Sequence, residues 1–364
     1  MLVSELETPA LLIDLDIMER NLERVATYAR EHGLRLRPHT KTHKTPELAR
    51  KQLDLGAAGL AVAKTTEAEV MLEAHPDDML VAYPVLGQQK LERLIRVAQA
   101  TQVTVALDSD QAACGLSAAA VRAGVTIGVL TEVDVGLHRV GVKPAQLLAL
   151  VRAVCALPGL RWEGVTFYPG HIKALDDAGL AAIDQLAVDV PAIITQLKAE
   201  GFEPRIVSGG STPALFHSHR IPMLNEIRPG TYIFNDRNTV ECGACAWDDC
   251  AVSILTTVVS TAVDHQMVLD GGSKTFSSDR LSTGGDALFG RIVEAPAARF
   301  HKMNEEHAYV DIGGGKPSAF RVGDRVRVIP NHVCVAVNLH ERLYGVRNGA
   351  VETVWEVKGR GKLW

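Results

Sequence analysis

Residues 103–142 read VTVALDSDQAACGLSAAAVRAGVTIGVLTEVDVGLHRVGV. Two β-type runs, VTVALD from Val103 and IGVLTEVD from Ile127, flank DQAACGLSAAAVRAG, whose apolar residues follow a helical period. A strand, a helix and a second apolar strand make parallel neighbours, because a crossover helix returns the chain to the same edge in the same direction. Working outward, the unit repeats. LRLRP from Leu34, GLAVA from Gly59 and MLVAYP from Met79 precede it, and GVTFYPG from Gly164, RIVSGG from Arg205 and EIRPGTYIF from Glu226 follow, with amphipathic segments between them. Eight strands with intervening helices in about 230 residues match a (β/α)8 barrel. A doubly wound open sheet is the alternative, but no G-x-G-x-x-G follows an early strand.

After Asp236 the texture changes. CAVSILTTVVS, QMVLDGG, EHAYVDI, DRVRVIP and RLYGVRNGAVETVWEV are β-branched or alternating, and Asn348-Gly349 is a two-residue hairpin signal. The expected fold is therefore α/β, a (β/α)8 TIM barrel over residues 11–236 followed by a mainly antiparallel β domain over 237–364. Residues 1–10 carry no pattern that places them, and the β domain is one home for them.

The 364 residues carry 38 Lys+Arg against 43 Asp+Glu, a net charge of −5, and no basic run, which argues against a nucleic-acid partner. The start, MLVSELETPALLIDLD, lacks the basic front of a secretory peptide. No apolar run approaches the roughly 18 residues of a membrane helix. Six irregularly spaced cysteines fit reduced thiols, so a cytoplasmic protein without membrane contact is expected.

A barrel works at the carboxyl ends of its strands. There the sequence offers Arg37-Pro38-His39-Thr40-Lys41-Thr42-His43-Lys44, then Lys64, Asp108, Glu132, Asp134 and Arg139, then Tyr168-Pro169-Gly170-His171, Ser208-Gly209-Gly210-Ser211-Thr212 and Gly230-Thr231-Tyr232. Ser-Gly-Gly-Ser-Thr before a helix can present N–H groups to an anion, although the same residues also make an ordinary turn and N-cap. Its place after the seventh strand, with Gly230-Thr231 following the eighth, favours a phosphate. A lysine of PHTKTHK is either solvated or desolvated near other cations; in the second case it becomes a nucleophile for an aldehyde. Phosphate plus Schiff base points to pyridoxal 5′-phosphate. His171 is a candidate base against simple packing.

PHTKTHK, EVDVGLHRVGV, SGGST and PNHVCVAVNLHE together resemble the metal-activated fold-type III pyridoxal enzymes, the D-threonine aldolase and D-serine dehydratase group. The resemblance spans nearly the whole chain. It implies that Lys41 holds the cofactor, that Arg139 reaches the ring oxygen, that Tyr232 joins the phosphate-binding loops, and that the protein is a homodimer. His39 and Tyr168 are placed with the cofactor. His332-Val333-Cys334 follows DRVRVIPN, and alternation on a strand or extended turn would put both side chains on one face. Alone, H-x-C is a poor motif. The resemblance makes His332 and Cys334 a metal pair, best suited to Zn2+ or Mn2+, with Co2+ or Mg2+ as further choices. Some aldolases of the group carry aspartate in place of Cys334. Cys242, Cys245 and Cys250 are read as packing rather than a zinc site, and the roles of His43, Lys44 and Asp270 are left open. The implied activity is cleavage of a small β-hydroxy-D-amino acid, D-threonine to glycine plus acetaldehyde. The alternatives are D-serine or 3-hydroxy-D-aspartate dehydration to a keto acid plus ammonia, a racemase, and a non-catalytic pyridoxal phosphate carrier.

Overall fold

The computed structural model describes residues 1–281, 288–313 and 320–364. They form two compact units, one of residues 24–41, 45–230 and 361–364, the other of residues 1–23, 42–44 and 231–360. After β1 (Ala10–Asp14), the first of these units holds eight parallel strands: β2 (Arg35–Leu36), β3 (Leu60–Val62), β4 (Asp78–Val81), β5 (Gln102–Leu107), β6 (Ile127–Glu132), β7 (Leu160–Thr166), β8 (Ile206–Gly209) and β9 (Glu226–Ile227). Their order is β3-β4-β5-β6-β7-β8-β9-β2. The ring closes where His39 bridges Ala61 in parallel, with Ala61 N donating to Pro38 O and Thr40 N to Ala61 O, both at 2.8 Å. All eight expected strands are present in a closed barrel. EIRPGTYIF gives only two residues to the sheet: Pro229 has no N–H for a ladder, and the chain turns into a short 3-10 segment, Thr231–Ile233.

Helix Asp177–Ala199 corrects one expectation, since on length and composition it is apolar enough to cross a membrane. Its buried positions Ile183, Leu186, Val190, Ile194 and Leu197 recur every three or four residues, the spacing of a helix packed on one side against a core.

The barrel interior is polar at one level. Arg37, 1% exposed, donates to Asp78 Oδ2 at 2.7 Å and pairs with Glu226 Oε2 at 3.0 Å. Ser208 Oγ donates to Glu226 Oε1 at 2.8 Å; Arg228 donates to Ser208 Oγ at 2.5 Å and to Phe167 O at 3.1 Å. Burial opposes charge on Arg37, but Glu226 and Asp78 outweigh it and raise its hold on the proton.

The other unit is built on β10 (Val252–Ser260), β11 (Gln266–Leu269), β12 (Gly290–Ile292), β13 (Arg299–Met303), β14 (Ala308–Asp311), β15 (Arg325–Pro330), β16 (Arg342–Arg347) and β17 (Ala350–Glu356). The path β13-β14-β11-β10-β1-β16-β17 is antiparallel except for the β1–β16 pair, and β15 joins β10 to β12. The division therefore departs from single cuts at 10/11 and 236/237: β1, ALLID, is a central strand of this sheet. Asn348 and Gly349 both have positive φ, 49° and 76°, as a two-residue hairpin between β16 and β17 requires.

Glu226→Ala leaves Arg37 buried beside one carboxylate fewer and should cost about 3–5 kcal/mol. Urea unfolding followed by far-UV circular dichroism measures it, and a loss below about 1 kcal/mol would contradict the central role of this ion set.

Candidate active site and metal pair

Lys41 lies in a turn just past the closure at Thr40 and is exposed, not desolvated as the sequence reading supposed. His39 beside it is half-buried. After β6 the loop is braced by Asp134, whose Oδ1 accepts from Gly136 N and His138 N, both at 3.0 Å, and whose Oδ2 lies 2.7 Å from His138 Nδ1. Burial works against ionisation of Asp134, but the bonds from His138 and Gly136 outweigh it and hold the carboxyl below its usual range. Gly136 has φ +120°, and a Cβ there would lie 3.3 Å from His171 Cε1, so the absent side chain lets the imidazole pack on the loop. Burial lowers the proton affinity of His171; Asp134 partly offsets this and His138 reinforces it. His171 thus holds its proton less tightly than an ordinary histidine, and its buried Nδ1 has no partner among the described residues. The Arg139 guanidinium stacks 4.9 Å from the centroid of Tyr168.

The turn after β8 is split in role. The Ser208 hydroxyl is committed to Glu226 and Arg228 inside the barrel. Beyond Gly209, Gly210 turns with φ +88°, and the N–H groups of Gly210, Ser211 and Thr212 meet no protein acceptor among the described residues. Ser211 Oγ accepts from Ala214 N at 3.4 Å. Unspent N–H groups in one turn suit a phosphate, and the exposed Lys41 amine suits an aldehyde, so these residues fit pyridoxal phosphate. Gly230 ends this stretch of the barrel unit, whereas Thr231 and the buried Tyr232 belong to the β unit. Arg228 carried no sequence signal beyond its place after β9; burial lowers its proton affinity against the pull of Glu226 and Glu132.

His332 and Cys334, the pair expected to hold a metal, lie in the β unit, but not on a strand. His332 is the N-cap of helix Val333–Leu339, and Cys334 lies in its first turn. The reason is Asp236: its Oδ2 accepts from Val333 N at 2.9 Å and lies 3.3 Å from His332 Nδ1, capping the helix and orienting the ring together. The Cys334 thiol, with Asp236, raises the proton affinity of His332 well above the ordinary histidine value. Cys334 Sγ lies 3.3 Å from Thr42 Oγ1 and 3.9 Å from Thr231 Oγ1. Among the described residues no third His, Cys, Asp or Glu completes a ligand set. An imidazole turned by a carboxylate on Nδ1 and a neighbouring thiol fit a divalent ion with positions left open. Asp236 was missed because its partner lies 96 residues away in sequence.

Of the residues left open, Asp270 accepts from Thr8 Oγ1 at 2.5 Å and Thr257 N at 2.8 Å, a brace within the sheet. Lys44 is buried with Nζ 3.4 Å from Gly359 O, and His43 is wholly buried. All six cysteines are free, and Cys242 Sγ donates to Thr239 O at 3.2 Å.

A closed parallel barrel with a rim lysine, a turn of unspent N–H groups after β8 and a separate β unit fits a pyridoxal-phosphate enzyme of the alanine racemase type. Comparison with known proteins agrees: residues 13–238 match the family model "Alanine racemase, N-terminal domain" and residues 251–346 match the "Putative serine dehydratase domain". The chain belongs to this alanine-racemase-like family, and within it to the lyases. It is similar to the 3-hydroxy-D-aspartate aldolase of Paracoccus denitrificans (strain Pd 1222), 34% identical over 99% of this chain and 93% of that one. It is 31% identical to the D-threo-3-hydroxyaspartate dehydratase of Delftia sp. (strain HT23), over 90% of this chain and 91% of that one. The crystal structure of D-threonine aldolase from Filomicrobium marinum superposes with a TM-score of 0.92 at 31% identity, covering 100% of this chain and 98% of that one.

Asp236→Ala should weaken Zn2+ or Mn2+ binding about 10–100-fold, because His332 loses the carboxylate on its Nδ1. Metal titration with a competing chelator reads this; an unchanged affinity would separate Asp236 from the metal pair.

Proposed function

We propose that the chain cleaves β-hydroxy-D-amino acids in the manner of a D-threonine aldolase, D-threonine giving glycine and acetaldehyde. His171 carries this reading: an imidazole of lowered proton affinity packed on Gly136, on the barrel unit that also bears Lys41, suits the removal of a substrate hydroxyl proton. Lys41 anchors the cofactor through its exposed amine. The N–H groups of Gly210, Ser211 and Thr212, beside Gly209 and Gly230 of the same unit, hold its phosphate, and His39, Arg139 and Tyr168 fix its ring, whereas the Ser208 hydroxyl is spent inside the barrel. When bound, the cofactor supplies an electron sink for the bond-breaking step, and a divalent metal on His332 and Cys334 supplies a Lewis acid for the hydroxyl. Zn2+ or Mn2+ fits the pair best, and Co2+ or Mg2+ follow.

A dehydratase yielding keto acid and ammonia from D-serine or 3-hydroxy-D-aspartate is the second reading, favoured by the thiol at Cys334 and by the likeness to the Delftia enzyme. We further propose a cytoplasmic homodimer, in keeping with six free thiols.

Lys41→Ala should abolish the visible cofactor band of the purified protein. Incubation with D-threonine and D-serine after chelation and metal add-back then identifies the reaction: glycine with acetaldehyde means aldolase, keto acid with ammonia means dehydratase, and metal-independent epimerisation means racemase. A protein that binds the cofactor and turns over none of these amino acids is a carrier. In an active aldolase, His171→Ala should lower kcat by about 10²–10⁴ with the cofactor band intact.

A further inference from the structure

Residues 361–364 belong to the barrel unit, although the chain leading to them, through Arg360, belongs to the β unit. Thr66 holds their last residue: its backbone N–H donates to Trp364 O at 3.1 Å, and its hydroxyl donates to the same oxygen. Thr66 is itself buried, just past the carboxyl end of β3. That strand forms the closure with the segment leading to Lys41, through Ala61. One strand further on, Lys64 Nζ lies 3.6 Å from the centroid of Tyr83, joining the loops after β3 and β4. The main chain at Trp364 is anchored while the side chains are not buried: Leu363 is 57% and Trp364 55% exposed, and the segment after β4 presents Tyr83 at 44% and Leu86 at 54%. An anchored main chain carrying two large exposed apolar side chains on the working rim of a barrel has the form of a wall, not of a core.

We infer that residues 361–364 wall the β3–β4 side of the barrel mouth and limit the size of molecule that reaches Lys41. This rests on the reading of Lys41 as the cofactor lysine. The consequence is a preference for compact β-substituents over aryl ones.

The test uses the cofactor-loaded protein and two reagents of one chemistry and different size, hydroxylamine and O-benzylhydroxylamine. Each releases Lys41 from the cofactor aldehyde as an oxime, seen as loss of the visible band. In the intact chain the small reagent should react much faster than the large one. Truncation after Arg360 should shrink that rate ratio about tenfold through the large reagent alone, the scale on which a steric pocket discriminates. Thr66→Val, which removes one of the two bonds, should give an intermediate ratio. An unchanged ratio in either variant, at unchanged melting temperature and cofactor content, overturns the wall. An equal rise for both reagents marks a loosened fold and overturns it too. Failure of the underlying reading looks different: the visible band is missing, or it survives in Lys41→Ala, before any ratio is measured.

Discussion

The barrel depends on the ion set that spans its interior. Strands β2 and β9 contribute two residues each, paired as Arg35 with Glu226 and Leu36 with Ile227. So short a ladder supplies few main-chain bonds, each with a net worth of about 1 kcal/mol. Arg37, directly after β2, reaches Glu226 on β9 and Asp78 on β4, so side chains span the interior where the ladder is thinnest. Replacing such a set by apolar residues is often neutral for stability, whereas removing one partner is not. Its consequence is register: four residues after Arg37 stands Lys41, and a slip of one residue would turn every side chain of that segment to the other face.

The strands were legible because a parallel barrel writes itself as apolar runs separated by helical periods. Five-residue runs are less specific. ALLID from Ala10 reads as readily as a barrel strand as it does as the central strand of a mixed sheet, since both are buried on two faces, and only pairing with β10 and β16 decides. His332 and Cys334 were visible as residue types, but the helix that holds them is started by Asp236, far away in sequence. Ser208 shows the same limit: alternation along β8 places its hydroxyl inside the barrel, while the turn immediately beyond keeps the unspent N–H groups.

The density of basic residues in PHTKTHK first marked it as more than a turn. Burial now separates its members. Lys44, at φ +54°, donates to Gly359 O while its own carbonyl accepts from Gly359 N at 2.9 Å, so it fastens the β unit. Thr42 brings a hydroxyl to the Cys334 thiol. Lys41 alone is exposed. Geometry divides the labour of the two lysines: the buried Lys44 is spent on a carbonyl, and Lys41 is left exposed. Of the two, only the exposed amine has the access that bond formation with an aldehyde requires.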